Sequence, residues 1–128
     1  RDMSHTVTFL SGHEAGGEEP SFEHLDLAAL AGGKNTLLVY MGVTTAGAIA
    51  SKLLAAGFAA SLPVIAVENA SREDERRVAA TIAHLAANPE RLNLKSPAIL
   101  IFGEVAGLPA HGMVEDILAL EELARVYA

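Results

Sequence analysis

The chain has 128 residues, which is enough for one domain with a single hydrophobic core. Its residues are 51% apolar and 20% charged, which excludes intrinsic disorder, and no apolar run reaches the ~18 residues of a membrane helix. The net charge of −7 opposes binding to nucleic acid, and the lack of cysteine excludes disulfides, thiolate metal sites and cysteine nucleophiles. Because no signal peptide is visible, we expect a cytoplasmic domain that binds neither membrane nor nucleic acid.

The first third of the chain predicts two strands separated by a short helix. Thr6–Leu10 combines β-branched and aromatic residues, which is typical of a strand. The Gly- and Glu-rich stretch Gly12–Pro20 predicts an exposed loop, and Asp26–Ala31 predicts a short helix that ends at Gly32. Thr36–Met41 is a continuous apolar run, the kind that is buried on both faces of a sheet.

A helix near Thr45–Ala56 comes next. Thr44 or Thr45 can cap its N-terminus, and its apolar residues recur on one face at helical spacing. Gly57 stands where a residue of left-handed conformation commonly ends a helix. The short apolar run Val64–Val67 then predicts a third strand.

The rest of the chain predicts two more helices around a fourth strand. The helix-start pattern at Ser71 predicts a helix over Arg72–Ala87. Ala98–Phe102 predicts a strand, and Met113–Tyr127 predicts a final helix. The alternation of strands and helices predicts one α/β domain, with a mixed, largely parallel sheet of four or five strands flanked by helices.

Three small polar turns follow the first three predicted strands: Ser11–His13, Tyr40–Thr44 and Glu68–Ser71. In open α/β sheets, ligands bind beyond the carboxyl ends of strands, where helix N-termini supply free N–H groups. Ordinary connecting turns are often equally small and polar, so spacing alone leaves both interpretations open. If the second and third strands run parallel, their turns lie at the same edge of the sheet.

The sequence does not contain the short motifs that mark phosphate, dinucleotide or zinc sites. Gly42–Gly47 has the two glycines of a phosphate loop, but Ala48 replaces the lysine, and no G-x-G-x-x-G is present. The histidines have no partner at zinc-site spacing, so we expect no metal. Arg72 and Arg76 stand at i, i+4 of a predicted helix, where they could meet a carboxylate-rich ligand or pair with Glu73.

Four segments at the strand ends carry a family resemblance. They are V-T-F-L-S-G-H at Val7–His13, T-L-L-V-Y-M-G at Thr36–Gly42, P-V-I-A-V-E-N-A-S-R at Pro63–Arg72 and S-P-A-I-L-I-F-G-E-V at Ser96–Val105. In their residues and in their order along the chain, these segments resemble those of the uroporphyrinogen-III C-methyltransferases, which are tetrapyrrole methylases. Residues from Ala106 onward resemble nothing in that family.

The resemblance implies a fold and a reaction. Residues 1–128 would be the C-terminal domain of a tetrapyrrole methylase, without the N-terminal domain that holds the family's Gly-rich loop and catalytic Asp. The family uses S-adenosylmethionine to methylate uroporphyrinogen III at C2 and C7, giving precorrin-2 for siroheme and cobalamin. The resemblance therefore implies a homodimer, no catalytic residue in this chain, and no activity of this domain alone.

The resemblance also implies site residues. Met41 matches the family's cofactor-contacting Met, with backbone groups of Tyr40 and Gly42 beside it. Ala70 stands where a glycine contacts the cofactor through its backbone, which alanine permits only at negative φ. Glu75 replaces a usual glutamine, and its charge is expected to weaken a polar contact. The candidates for binding tetrapyrrole carboxylates are Arg1, His13 and Arg72.

Two other functions stay open from the sequence. The first is a non-catalytic binding or dimerisation module of the same fold. The second is another tetrapyrrole methylase with a different ring substrate. For Met41, the alternative to cofactor binding is a side chain that only fills the core.

Overall fold

The structure, a computed structural model, describes residues 2–108 and 114–116, the latter as backbone only. The strands are β1 Thr6–Ser11, β2 Asn35–Tyr40, β3 Pro63–Glu68, β4 Arg76–Thr81, β5 Ala98–Phe102 and β6 Val114–Asp116. The α-helices are α1 Leu27–Gly32, α2 Ala46–Ala55 and α3 Ile82–Ala87, and 3-10 turns span Pro89–Leu92 and Glu104–Gly107. These strands form one sheet in the order β1-β2-β5-β3-β4-β6.

The sheet is mixed, as expected, but the described residues form six strands instead of four or five, and the prediction that the sheet is largely parallel is wrong. β1 runs parallel to β2 and β4 runs parallel to β6, whereas β5 is antiparallel to both β2 and β3, and β4 is antiparallel to β3. The reversal arises because β5 inserts between β2 and β3, and because β4 follows β3 through a short turn. Since β5 opposes both neighbours, β2 and β3 point the same way and end at the same edge of the sheet.

The predicted helix over Arg72–Ala87 is wrong in its first half. Arg76–Thr81 is a strand that pairs with β3 along its whole length, and the helix begins only at Ile82. Val78 and Ala80 alternate into the core, so six ladder pairings outweigh the helix preference of this Ala-containing stretch. Consequently Arg72 and Arg76 share no helical face.

The remaining predicted strands and helices within residues 2–108 agree with the structure. The four predicted strands correspond to β1, β2, β3 and β5, and the helices at 26–31 and 45–56 correspond to α1 and α2. Gly57 has φ +104° after α2, as its position predicts. Within the predicted final helix Met113–Tyr127, Val114–Asp116 is instead a strand that pairs with β4. The remainder of that predicted helix lies outside the described residues.

The hydrophobic core lies on one face of the sheet, beneath the helices. Alternate strand positions point into it and pack with α2 and α3: Leu37, Val39, Val64, Ala66, Val78, Ala80, Leu100 and Phe102 are buried together with Ile49, Leu53, Ile82 and Leu85. Leu38 and Tyr40 on the opposite face are half-buried and exposed respectively, so the run 36–41 is buried on one face rather than on both. None of the helices in the described part has the length and apolar character needed to cross a membrane.

Candidate functional site

A cavity of about 670 Å³ opens at the edge where β2 and β3 both end. Four pieces of the chain line it: the turns after β1, β2 and β3, and the start of β5. The lining includes His13, Met41, Thr44, Ala70, Arg72 and Pro97. The volume is within the range of small-molecule sites, and the position is where open sheets bind ligands.

The turns after β1 and β2 are in direct backbone contact at Gly12. The Gly12 N–H donates to the Tyr40 carbonyl at 2.6 Å, and the Thr45 hydroxyl donates to the Gly12 carbonyl at 2.6 Å. A Cβ at Gly12 would overlap the backbone of Gly42 and the Met41 carbonyl oxygen. Thr45 precedes α2 as predicted, but its hydroxyl joins the two turns instead of capping the helix.

His13 holds the turn after β2 through both of its ring nitrogens. Nδ1 is hydrogen-bonded to the Met41 carbonyl, and Nε2 lies 2.9 Å from the Thr44 hydroxyl. Because a carbonyl only accepts, Nδ1 carries the proton, and in the neutral ring Nε2 accepts from Thr44. His13 therefore lines the cavity with both nitrogens already engaged within the chain.

Met41 is a surface residue in a strained conformation. Its φ is +58°, in the left-handed region that non-glycine residues rarely adopt, and the residue is 63% exposed beside the cavity. This exposure excludes the alternative that Met41 fills the core. Strained backbone at a cavity is a recognised mark of a functional position. Gly42, by contrast, is buried and does not line the cavity, and a Cβ there would press on Val39 and Leu100.

The turn after β3 presents Ala70 to the cavity. Asn69 and Ser71 have φ of +50° and +68°, whereas Ala70 between them has negative φ, which is the condition that an alanine requires at this position. The Asn69 N–H donates to the Pro97 carbonyl at 3.0 Å, so this turn is tied to the start of β5.

Glu75 directs its charge into its own turn rather than into the cavity. Its carboxylate accepts from the Ser71 N–H at 2.9 Å and pairs with Arg77 at 2.9 Å. The Ser71 N–H, followed by Arg77, holds the pKa of Glu75 below its ordinary value. The expectation that this carboxylate weakens a contact in the site is therefore wrong, because it closes the turn that carries Ala70.

Comparison with known proteins agrees with this architecture. The profile of the family Tetrapyrrole (Corrin/Porphyrin) Methylases matches residues 2–86. The chain belongs to the tetrapyrrole methylases. It is 41% identical over 107 residues to a uroporphyrinogen-III C-methyltransferase of Pseudomonas fluorescens, covering 84% of this chain and 41% of that protein. It is 40% identical over 108 residues to a siroheme synthase of Chromobacterium violaceum, covering 84% of this chain and 22% of that protein.

Solved structures of tetrapyrrole methylases share the fold. The uroporphyrin-III C-methyl transferase from Thermus thermophilus, complexed with S-adenyl homocysteine, superposes with a TM-score of 0.69 at 33% identity, over 82% of this chain and 42% of that one. A cobalt precorrin-4 methyltransferase superposes with a TM-score of 0.66 at 26% identity, over 85% and 44%. This tetrapyrrole methylase chain thus spans less than half the length of the relatives named here.

The structure brings most of the sequence-predicted site residues of this tetrapyrrole methylase to one cavity. Tyr40, Met41 and Ala70 line it, together with His13 and Arg72. Gly42 lies beneath the turn, and Arg1 lies outside the described residues. Among the described residues, no carboxylate lines the cavity and no group of three His, Asp or Glu is placed to hold a metal ion.

The sequence did not predict that the start of β5 forms one wall of the cavity. Ser96, Pro97 and Ala98 lie between the turns that carry Met41 and Ala70. The available signal was the S-P-A segment shared with the family, but its place in the cavity depends on the insertion of β5 between β2 and β3.

Proposed function

We propose that this chain is the C-terminal, S-adenosylmethionine-binding domain of a uroporphyrinogen-III C-methyltransferase. One observation carries the proposal: the ends of β2 and β3 place Met41 and Ala70, the two residues that match the family's cofactor contacts, in one cavity. The complex of the Thermus thermophilus enzyme with S-adenyl homocysteine supports the same ligand class. The 41% identical relative from Pseudomonas fluorescens, a uroporphyrinogen-III C-methyltransferase, supports uroporphyrinogen III as the substrate.

The residues of the cavity fit this cofactor. Val43, Val67 and Ile99 add apolar surface to the exposed thioether of Met41, which suits an adenine ring. Ala70 presents its backbone without a bulky side chain in the way. The Tyr40 carbonyl accepts from Gly12, so we assign Tyr40 and Gly42 to shaping the turn that presents Met41.

S-adenosylmethionine supplies an electrophilic methyl group when it is bound. Transfer to a ring carbon needs in-line positioning and a group that then accepts a proton. The residues of this chain contribute the first requirement, because they fix the walls of the cavity. Among the described residues that line the cavity, His13 and Arg72 do not meet the second requirement, because both nitrogens of His13 are engaged and Arg72 is a cation. We therefore propose that an N-terminal domain completes the site and that this chain alone does not turn over.

Arg72 is our candidate for contacting a tetrapyrrole carboxylate. It lines the cavity, its side chain is 68% exposed, and its ion pair with Asp74 is long, with 4.0 Å between Nε and Oδ1, so the guanidinium stays accessible. Guanidinium groups bind carboxylates in a bidentate manner. We assign His13 a positioning role towards Met41 instead of direct substrate binding.

Titration of the 128-residue chain with S-adenosylhomocysteine tests the proposal. We expect saturable binding by calorimetry, with NMR shifts at Met41, Ala70 and Ala98 and none at Ile49 in the core. In a methyl-transfer assay with uroporphyrinogen III, we expect no turnover from this chain. Saturable binding without shifts at the cavity would refute the site, and multiple turnovers would refute the assignment of catalysis to a separate domain.

The uncovered face of the sheet supports a proposed dimer. Phe9 stacks on Tyr40 with ring centroids 6.1 Å apart, yet Phe9 is 63% exposed and Val7 is 53% exposed. Apolar patches of this kind mark interfaces. We expect light scattering at micromolar concentration to give at least twice the chain mass of 13.3 kDa. A mass equal to one chain would contradict this prediction.

A further inference from the structure

Glu68 carries a buried charge beside the cavity without lining it. It is the last residue of β3, one position before the turn that presents Ala70, and it is only 4% exposed. Burial of an ionised carboxylate is strongly unfavourable unless it is paired and hydrogen-bonded. Its partners therefore indicate what the buried charge holds in place.

Those partners belong to the strand and the segment on either side of β3. Arg76 Nη1 lies 3.2 Å from both carboxylate oxygens of Glu68, and the Lys95 N–H donates to Oε2 at 2.6 Å. Arg76 also donates to the carbonyls of Leu92 and Asn93 at 3.2 and 3.3 Å. The Glu68–Arg76 pair, here named the clamp, thus binds segment 92–95 at three backbone positions.

Segment 92–95 leads directly into the wall of the cavity. Ser96, Pro97 and Ala98 follow it and line the site between Met41 and Ala70. The Pro97 carbonyl is held by the Asn69 N–H, so the wall has one anchor at Lys95 and a second at Pro97. Both anchors originate in the last residue of β3 and the residue after it.

We propose that Glu68 is a positioning residue, which holds the Ser96–Ala98 wall at the correct distance from the Ala70 turn through the clamp. The charge is used because two donors, Arg76 Nη1 and the Lys95 N–H, make three contacts with the two oxygens of one carboxylate, and a neutral amide of similar size offers only one oxygen. The ligand-binding consequence rests on the proposed function, whereas the effect on the wall does not.

Amide hydrogen exchange on E68Q, without ligand, tests the clamp. Whichever way its amide is turned, glutamine places an NH₂ group against Arg76 Nη1, and the Lys95 N–H loses its charged acceptor. We expect exchange at Lys95 to accelerate by about tenfold, with chemical-shift changes confined to 92–98 and the Ala70 turn, while Ile49 and Leu53 keep their protection. Unchanged exchange at Lys95, or equal loss of protection throughout the core, would overturn the proposal.

Two further variants keep the test decisive. E90Q makes the same charge change on the exposed 3-10 turn that precedes this segment and is expected to leave Lys95 and the wall unchanged. If E68Q does not fold, R76K retains a cation opposite Glu68 but loses the guanidinium arm that binds the Leu92 carbonyl. R76K is expected to give the same faster exchange at Lys95, with shift changes again confined to residues 92–98 and the Ala70 turn. If R76K does not give this result, the proposal is overturned.

Measurements of S-adenosylhomocysteine binding distinguish the proposed function of the chain from the positioning role of Glu68. We expect E68Q to weaken S-adenosylhomocysteine binding by about fivefold relative to E90Q, with the melting transition still cooperative. If the unmodified chain does not bind S-adenosylhomocysteine, the proposed function fails while the exchange result still decides the clamp. If the unmodified chain binds and E68Q binds equally well, the positioning role is refuted.

Discussion

Replacing Gly12 with alanine is expected to abolish measurable S-adenosylhomocysteine binding and to lower the melting temperature by about 10 °C. The added Cβ overlaps the backbone of Gly42 and the Met41 carbonyl oxygen, so the turns after β1 and β2 must separate. Overpacking against backbone destabilises by about 1–3 kcal/mol, because no flexible side chain can yield. Separation also stretches the Gly12 hydrogen bonds to Tyr40 and Thr45, which hold the Met41 turn.

Gly32 provides the matched control for this substitution. It lies at the end of α1, and a Cβ there meets nothing within 4 Å. We expect Gly32→Ala to change the free energy of unfolding by no more than about 0.5 kcal/mol and to leave binding intact. Calorimetry and thermal unfolding of both variants decide the matter. Normal binding by Gly12→Ala would show that the contact between the two turns does not shape the site.

Substitution of Met41 is expected to weaken ligand binding with little change in the free energy of unfolding. Met41→Ala and Met41→Gly both remove the thioether, so both should weaken S-adenosylhomocysteine binding by about five- to tenfold. Neither should lose much packing energy, because Met41 is 63% exposed. At φ +58° alanine keeps the backbone strain and glycine relieves it, so Met41→Gly should be the more stable of the two by about 0.5–1 kcal/mol.

Met3→Ala is the control for loss of a partly exposed thioether away from the cavity. Met3 is 38% exposed and does not line the site, so its removal should leave affinity unchanged. The measurements are the dissociation constant by calorimetry and the melting temperature of each variant. A large drop in melting temperature with unchanged affinity for the Met41 variants would assign this side chain to packing rather than to the ligand.

Local sequence was sufficient to predict those strands and helices whose formation depends mainly on their own residues. The β-branched and apolar runs predicted β1, β2, β3 and β5, and α2 follows from its apolar periodicity and the glycine at position 57. The family segments correctly brought Met41 and Ala70 together in one cavity, and the requirement for negative φ at Ala70 was met. These features are readable because backbone preferences and side-chain periodicity act over a few neighbouring residues.

Long-range contacts decided the remaining features. Arg76–Thr81 carries helix-compatible residues and becomes a strand only because β3 offers six pairing positions. The insertion of β5 between β2 and β3 makes Ser96–Ala98 a wall of the cavity. Thr45 bonds to Gly12 across 33 positions and Glu68 bonds to Lys95 across 27 positions. Such partners meet only when the strands are ordered in the sheet, so no local pattern encodes them.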